Sequence, residues 1–246
     1  MLTIDINCDM GEGAGNDYLL MPFISSVNIA CGYHAGDADT MLRTCELAIA
    51  ADVAIGAHPG FADKANFGRT EMQLPPQAVY DLVTEQVYLL QRTAATCGTV
   101  LTHVKPHGAL YNMSAGNASI ARTIARAVKD IDPGLVLFGL SGSHSVTEAQ
   151  SMGLTVANEV FADRTYQNDG SLTPRGQAGA LAETTEAAVA QALQMVQQHT
   201  VTSIEGKEVP VIADTICIHG DGAHAVSFAK HIYRTLQQHS IGIGKK

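Results

Sequence analysis

The chain has 246 residues, of which 46% are hydrophobic and 16% are charged, and this composition suits a single α/β domain spanning residues 1–246. Its formal net charge of −9 argues against nucleic acid as a partner, since nucleic-acid binding relies on Lys and Arg facing phosphate. No uninterrupted apolar stretch approaches the roughly 20 residues that cross a bilayer, so no membrane association is expected.

The N-terminal segment and the cysteines bear on the cellular compartment. Asp5 and Asp9 interrupt the N-terminal apolar run, which also lacks a basic start, so this run does not predict a signal peptide. The five cysteines are widely spaced and include no Cys-x-x-Cys pair. Unpaired thiols in a chain without an export signal are typical of the reducing cytoplasm.

Apolar, β-branched runs alternate with helical patterns along the whole chain. The runs predict seven strands, over residues 2–8, 26–31, 53–57, 99–105, 135–140, 154–160 and 213–219. The helical patterns lie over residues 37–51, 75–97, 117–129, 143–152, 177–199 and 223–239. Alternation around Gly206 predicts a small β-hairpin within residues 201–209. Strands that alternate with helices imply a parallel sheet.

Polar residues and glycines follow nearly every predicted strand. The segments concerned are 7–13, 28–37, 55–60, 159–164 and 217–222. In a β/α barrel the carboxyl ends of all strands build the active site, whereas an open sheet uses only the strands beside one switch point. We therefore expect a single-domain β/α barrel of about seven parallel strands, with a site at their carboxyl ends.

The segment His103-Val104-Lys105-Pro106-His107 concentrates reactive groups at the end of one strand. Alternation along an extended chain puts His103, Lys105 and His107 on the same face. Pro106 keeps the residue before it extended. A purely structural strand end has no need of two imidazoles and an ammonium side by side, so the segment indicates an enzyme active site.

Four residues are predicted to be catalytic. Asp9 suits a general base or a metal ligand, and Glu12 accompanies it after the same strand. Lys105 suits the stabilisation of an oxyanion or of a transferring phosphoryl oxygen. His107 suits a general acid or base, because its ordinary pKa lies near neutrality. Substrate binding is assigned to Asn7, His34, Asp37, Arg69, Arg164 and His219.

These side chains are expected to meet in one cavity. Its predicted wall comprises Asp9, His34, His58, Lys105, His107 and His219. For His34, His58 and His219 the sequence is equally compatible with a structural role. Because Asp9 and Lys105 lie where their strands leave the core, Lys105→Ala and Asp9→Asn are expected to remove activity while leaving stability nearly unchanged.

Seven long and unusual segments, spread from end to end, carry a resemblance to a known family. They are Ile6-Asn7-Cys8-Asp9-Met10-Gly11-Glu12, Asn28-Ile29-Ala30-Cys31-Gly32-Tyr33-His34-Ala35-Gly36-Asp37, Gly56-Ala57-His58-Pro59-Gly60-Phe61, Phe67-Gly68-Arg69, residues 103–111, Phe161-Ala162-Asp163-Arg164 and Asp214-Thr215-Ile216-Cys217-Ile218-His219-Gly220-Asp221. In these segments the chain resembles the LamB/YcsF family. The resemblance implies a distorted, seven-stranded β/α barrel similar to that of carbohydrate deacetylases and glycoside hydrolases.

The resemblance also implies an activity, the opening of the cyclic amide 5-oxo-L-proline to L-glutamate. It implies that ATP hydrolysis drives the reaction and that the partners are 5-oxoprolinase subunits B and C. The chain has no G-x-x-x-x-G-K-[ST] motif, and Gly242-Ile243-Gly244-Lys245 lacks its first half. Arg69, Arg164 and Lys105 could still hold phosphate, so ATP binding by this chain and ATP binding by its partners both stay open.

A divalent metal ion is a further expectation from the deacetylase likeness. Asp9, His58 and either His103 or His107 resemble, in strand order, the Asp-His-His metal set of barrel deacetylases, and Asp9, His58 and His103 are taken as that set. Ligands on different strands have no fixed spacing in sequence, so the spacing of these residues does not itself indicate a metal site. The choice between Mg²⁺ and Zn²⁺ stays open as well.

Two alternatives stand beside the 5-oxoprolinase reading. One is a stand-alone, metal-dependent deacetylase or amidase on the same barrel. The other is a non-catalytic scaffold subunit whose partners perform the chemistry. The long segments favour the oxoprolinase over the first alternative, and polar groups at so many strand ends favour catalysis over the second.

Overall fold

Ten strands lie in the described part of the computed structural model, which covers residues 2–219 and 225–246. They are β1 (Thr3–Met10), β2 (Ser26–Ala30), β3 (Ala54–His58), β4 (His103–Val104), β5 (Val136–Leu140), β6 (Val156–Phe161), β7 (Thr200–Thr202), β8 (Glu208–Pro210), β9 (Thr215–His219) and β10 (Gly242–Ile243). Seven of them form a parallel barrel in the order β1-β2-β3-β4-β5-β6-β9, which pairing of β1 with β9 closes. The predicted barrel of about seven parallel strands is confirmed.

Eight helices occur among the same residues. They are α1 (Asp17–Leu20), α2 (Ala38–Ala50), α3 (Pro76–Thr96), α4 (Gly108–Gly116), α5 (Ala118–Ile131), α6 (His144–Ser151), α7 (Thr185–Gln198) and α8 (Ala225–Gln238). Parallel barrel strands are covered on both faces, and accordingly all but the first residue of β1 and every residue of β2 and β3 are buried. This double burial is why the strands read as nearly continuous apolar runs.

Short polar side chains set the starts of several helices. Asp37 accepts a hydrogen bond from the Thr40 N–H at the start of α2, and Asn117 accepts from the Ser119 N–H at the start of α5. The predicted helices over 37–51 and 117–129 are therefore confirmed. The predicted hairpin is confirmed as well, because β7 and β8 pair antiparallel around a turn in which Gly206 has φ +80°.

The predicted helix over residues 177–199 begins too early. Helix α7 begins at Thr185, and the side chain of Thr184 caps it by accepting from the Ala187 N–H. The preceding residues instead hydrogen-bond to the chain that follows β6, through Ala182 N–H to Asp163 O at 3.0 Å. Residues 162–184 thus form one long β6–α7 loop, longer than the 2–6 residues usual in α/β units.

Strand β4 is shorter than the predicted strand over 99–105. It comprises His103 and Val104 alone, although Thr102 N–H and Lys105 N–H also donate to carbonyls of the neighbouring β3 region. The apolar residues before it lie outside the sheet, and Val100 is 74% exposed. The predicted strand therefore begins too early, because the β-branched, apolar residues 99–101 have the composition of a strand but do not pair with the sheet.

Strand β10 holds the C-terminal segment at the amino-terminal end of the barrel strands, opposite to their carboxyl ends. Gly242 and Ile243 pair with Thr3 and Ile4, at the beginning of β1. Asp9 lies six residues further along β1, or about 20 Å at ~3.3 Å per residue. The segment 242–245, which shares half of a phosphate-binding motif, is therefore remote from the carboxyl ends of the strands.

Residues 220–224 lie outside the described residues, as does Met1. The glycine-rich end of the segment 217–222, His224 and the start of the predicted helix over 223–239 fall there. From residue 225 onward the predicted helix is confirmed as α8. Within residues 2–219 and 225–246, no helix has the length and apolar character needed to cross a membrane.

Candidate active site

A cavity of about 770 Å³ opens at the carboxyl end of the barrel. Four strands bring ionisable side chains to its wall at or just beyond their ends: Asp9, His58, Lys105 and His219. Other residues of the wall are Glu12, Arg69, His107, Tyr111, Phe161, Arg164 and Arg175. The polar residues that follow separate strands in the sequence therefore meet in one place.

The Lys105 side chain lies inside the barrel mouth with 2% of its surface exposed. Its Nζ is 2.9 Å from Asp9 Oδ1 and 2.8 Å from Glu159 Oε1. It also donates to Asn7 Oδ1 at 3.1 Å and lies 3.1 Å from Cys217 Sγ. One ammonium thus bridges two buried carboxylates, and removal of the ammonium would leave uncompensated charge in the interior.

The surroundings of Lys105 keep it protonated. Burial alone would lower the pKa of this lysine, but Asp9 and Glu159 outweigh burial and raise the pKa of Lys105 well above its ordinary value. The ring centroid of Phe161 lies 5.5 Å from Nζ, within the range of a cation–π contact. Lys105 therefore stays protonated as an ammonium between its two carboxylates.

Asp9 is the carboxylate that joins this cation to the histidines. Its Oδ1 accepts from Lys105 Nζ and from Asn28 Nδ2 at 2.8 Å, and its Oδ2 lies 3.3 Å from His58 Nε2. Burial acts to raise the pKa of Asp9, but His58 and Lys105 prevail and hold it well below its usual range. Asp9 is therefore ionised and faces the cavity as an acceptor.

A cluster of three imidazoles and one carboxylate lies beside Asp9. It consists of Glu12, His34, His58 and His107, which we call the histidine cluster. Glu12 Oε1 is 3.1 Å from His34 Nε2, 3.3 Å from His107 Nδ1 and 3.8 Å from His58 Nε2. His58 Nε2 is 2.9 Å from His107 Nδ1, and the rings of His34 and His107 stack with centroids 3.7 Å apart.

Backbone carbonyls orient two of these imidazoles. His58 Nδ1 donates to Lys105 O at 2.7 Å, and His107 Nε2 donates to Phe67 O at 2.8 Å. Burial lowers the pKa of His34 to about 3 and, together with His58, lowers the pKa of His107 far below its ordinary value. Burial acts the same way on His58, but Asp9 outweighs it and raises the pKa of His58.

Two glycines leave room for the histidine cluster. A Cβ added at Gly60 would lie 2.8 Å from His34 Nδ1, and one at Gly68 would lie 2.7 Å from His34 Cβ. Gly68 also has φ +64°, which L side chains rarely adopt. Gly60 and Gly68 are thus explained by the close packing of His34 against the chain.

His103 is not part of the cluster, and the predicted metal set of Asp9, His58 and His103 is wrong. His103 Nε2 donates to Asn28 Oδ1 at 2.9 Å, and Nδ1 is 2.8 Å from Thr102 Oγ1, so both ring nitrogens are engaged. Alternate residues of a strand share a face but lie about 6.6 Å apart along it, so His103 sits one layer deeper than Lys105. Its role is to hold Asn28, which in turn donates to Asp9.

His103→Ala is accordingly expected to lower the free energy of unfolding by roughly 2–4 kcal/mol, since it opens a cavity and leaves the buried Asn28 Oδ1 without its donor. Chemical denaturation measures this change. His144→Ala, on an exposed position of α6, is the matched control and should stay within ~0.5 kcal/mol of the parent chain. Equal stability of the His103 and His144 variants would contradict the structural role.

Three residues predicted to bind substrate lie away from the cavity wall. Asp37 is exposed and caps α2, so its assignment to substrate binding is wrong: the same residue type serves helix caps and active sites. Asn7 is fully buried beneath the wall, where it donates to Glu159 Oε1 at 2.9 Å. His34 lies behind His107, so the expected wall is wrong for His34 alone among its six members.

The β6–α7 loop brings further positive charge to the wall. Arg164 donates to Thr173 O at 2.6 Å, and burial together with Arg175 lowers the pKa of Arg164 to about 10. Arg175 donates to His219 Nε2 at 3.0 Å, while His219 Nδ1 donates to Asp163 Oδ2 at 2.7 Å. Arg175 was missed in the sequence, although the unusual length of the connection around it is a signal for a functional loop.

Residues 4–245 match the model of the LamB/YcsF family. The chain belongs to the LamB/YcsF family. A relative from Tolumonas auensis, which is named as the A subunit of 5-oxoprolinase, is 52% identical over 99% of this chain and 99% of that protein. Another of the same name, from Brevibacillus brevis, is 49% identical over 100% and 99% of the two chains. These LamB/YcsF relatives match the chain from end to end.

Solved structures agree with the LamB/YcsF barrel. The chain is similar to the lactam utilization protein from Thermus thermophilus, with a TM-score of 0.92 and 42% identity over 99% of both chains. It shares only its fold with the T48 deacetylase, at a TM-score of 0.54 and 12% identity over 98% of this chain and 87% of that one. The expected likeness to deacetylase barrels is therefore confirmed for the fold.

Proposed function

We propose that this LamB/YcsF chain is the A subunit of an ATP-dependent 5-oxoprolinase, which opens 5-oxo-L-proline to L-glutamate together with subunits B and C. The observation that carries the proposal is the near-50% identity, over essentially the whole chain, to proteins named as the A subunit of 5-oxoprolinase. The similarity to a lactam utilization protein supports it, since 5-oxoproline is a lactam. We place the protein in the cytoplasm, which its five free cysteines support.

The cavity offers the groups that a lactam opening requires. A five-membered lactam is a stabilised amide, so its carbonyl must be activated, water delivered, the oxyanion held and the leaving nitrogen protonated. Asp9 is an ionised acceptor that can orient or deprotonate water. The Lys105 N–H groups are engaged with protein acceptors, so Lys105 supports a developing oxyanion through its charge rather than through a new hydrogen bond.

The wall also has groups suited to the rest of the substrate. Burial and Glu159 raise the pKa of Tyr111 well above its ordinary value, so its phenol stays protonated and can donate to a carbonyl oxygen. Arg164 and Arg175 suit the carboxylate of 5-oxoproline or a phosphate group, because guanidinium matches both geometries. These residues form the substrate side of the proposed site.

ATP is the proposed energy source, and its γ-phosphate would activate the amide oxygen. We propose that nucleotide is bound with the help of the partner subunits, since the chain lacks a phosphate-binding loop of the G-x-x-x-x-G-K-[ST] kind. The arginines of the wall can hold a phosphorylated intermediate through charge-assisted hydrogen bonds. The chain on its own is then expected to neither hydrolyse ATP rapidly nor open 5-oxoproline.

A reconstitution assay tests the proposed function. Glutamate release from 5-oxoproline with ATP is measured for the chain alone, for subunits B and C together, and for all three. Activity is expected in the complete mixture only. Glutamate production by the chain alone without ATP would favour the stand-alone amidase, and undiminished activity of subunits B and C without the chain would exclude a catalytic role for it.

A further inference from the structure

We propose that the histidine cluster is a binding site for one transition-metal ion of the zinc type, held by Glu12, His34, His58 and His107. The four side chains come from three different strand exits and the segment after β1, yet they converge within a few ångströms. The inference does not depend on the proposed reaction, because ion binding is measured without substrate, ATP or partner subunits.

The spacing of the donor atoms fits four-coordinate binding. At the usual metal–ligand distance of ~2.0–2.1 Å, the atoms of a tetrahedral set lie about 3.3 Å from one another. Glu12 Oε1 lies 3.1 Å from His34 Nε2 and 3.3 Å from His107 Nδ1. His58 Nε2 lies 3.8 Å from Glu12 Oε1 and 2.9 Å from His107 Nδ1. These four separations scatter around the tetrahedral value, and because His34 stacks parallel on His107, one of these two rings must rotate to point its nitrogen at a shared ion.

The hydrogen bonds at the far side of two rings fix the nitrogens that face the centre. His58 donates through Nδ1 to Lys105 O, and His107 donates through Nε2 to Phe67 O. His58 Nε2 and His107 Nδ1 then face each other 2.9 Å apart. A metal ion bound here would replace the proton that these two nitrogens share, and a carbonyl behind each ring is the arrangement that metal-binding histidines use.

The donor set selects the kind of ion. Three imidazoles with one carboxylate suit zinc and its neighbours in the first transition row, whereas magnesium prefers oxygen ligands and retained water. His58, His107 and Glu12 line the cavity, so an ion has a path to the centre.

A second group of potential ligands is less suitable. Asp9, Cys217 and His219 also lie close together. The ammonium of Lys105, however, is 2.9 Å from Asp9 Oδ1 and 3.1 Å from Cys217 Sγ, and already supplies the positive charge there. Asp9 Oδ2 lies 3.3 Å from His58 Nε2, so an ion in the histidine cluster would place a Lewis acid beside the carboxylate of the proposed reaction.

Calorimetric titration of the chelator-treated full chain with Zn²⁺, and separately with Mg²⁺, tests the site. One Zn²⁺ per chain is expected, with Mg²⁺ weaker by at least about 100-fold. Glu12→Gln and His107→Ala should each weaken Zn²⁺ binding by at least about 100-fold, beyond the ~10–100-fold usual for groups behind the ligands. His144→Ala at the cavity rim and Cys217→Ser should bind as the parent chain does.

The Co²⁺ form of the unmutated chain keeps the test independent of how the variants fold. Intense visible absorption, typical of a four-coordinate ion, without a sulfur-to-cobalt charge-transfer band supports the proposal. Weak bands of a six-coordinate ion, or a sulfur band from Cys217, would overturn it. So would the absence of Zn²⁺ binding by the folded chain, or Zn²⁺ binding that Glu12→Gln and His107→Ala leave unchanged while circular dichroism shows them folded.

Discussion

Lys105→Ala is expected to lower the free energy of unfolding by about 3–5 kcal/mol, because it removes the ammonium that bridges the buried carboxylates of Asp9 and Glu159. The sequence predicted nearly unchanged stability because Lys105 was expected to lie outside the core, and the burial of Lys105 contradicts that premise. Urea denaturation of the purified chain measures the loss. Lys207→Ala, on the exposed turn of the hairpin, removes the same charge and should stay within ~0.5 kcal/mol.

A double variant separates lost charge from lost packing. Lys105→Met keeps most of the side-chain volume, and adding Glu159→Gln removes one of the two carboxylates that the ammonium neutralised. The pair should recover more than half of the stability lost in Lys105→Met alone, as contacting residues do when their effects are not additive. Strictly additive losses, or a Lys105→Ala variant as stable as the parent chain, would show that the ammonium is not what holds these carboxylates.

Asp9→Asn is expected to reduce glutamate release by the reconstituted complex about 10²–10⁴-fold, because an amide cannot take a proton from water. The neutral side chain nevertheless has nearly the same size, and Glu159 remains to neutralise Lys105. Stability should therefore fall less than in Lys105→Ala. Melting temperature and turnover are measured on the same preparations.

Asp39→Asn is the matched control, because this substitution makes the same change in net charge as Asp9→Asn. Asp39 lies exposed in the first turn of α2. It should retain full turnover. Asp9→Asn with turnover near that of the control would remove Asp9 from the proposed chemistry. Asp9→Asn with a melting temperature as low as that of Lys105→Ala would instead assign Asp9 a mainly structural role.

The strand ends could be predicted because barrel strands are covered on both faces. Their apolar runs are nearly continuous, so a polar residue such as Asp9 or His58 stands out where a run stops. Depth along the barrel could not be predicted in the same way. His103 and Lys105 lie on the same face of one segment, but only Lys105 reaches the cavity. The difference arises because Lys105 is two residues, or about 6.6 Å, closer to the carboxyl end of the barrel.

Contacts between segments that are far apart in the chain could not be predicted from a single sequence either. The ion pair of Lys105 with Glu159 joins β6 to the residue after β4, and no local pattern marks it. Asp37 illustrates the opposite problem, because its position after a glycine-rich strand end suits both a ligand and a helix cap. Arg175 entered the site through a long loop whose path depends on its packing against the barrel.

Residue 105 belongs to both halves of the site at once. Its ammonium neutralises the carboxylates, while its backbone carbonyl accepts from His58 Nδ1 and orients that ring. Pro106 restricts the backbone of the residue before it to extended conformations, which makes this junction stiff. The position of the ammonium and the orientation of the histidine cluster therefore both depend on the backbone at residue 105. A displacement of the backbone at residue 105 would shift the ammonium away from Asp9 and the carbonyl away from His58 at the same time.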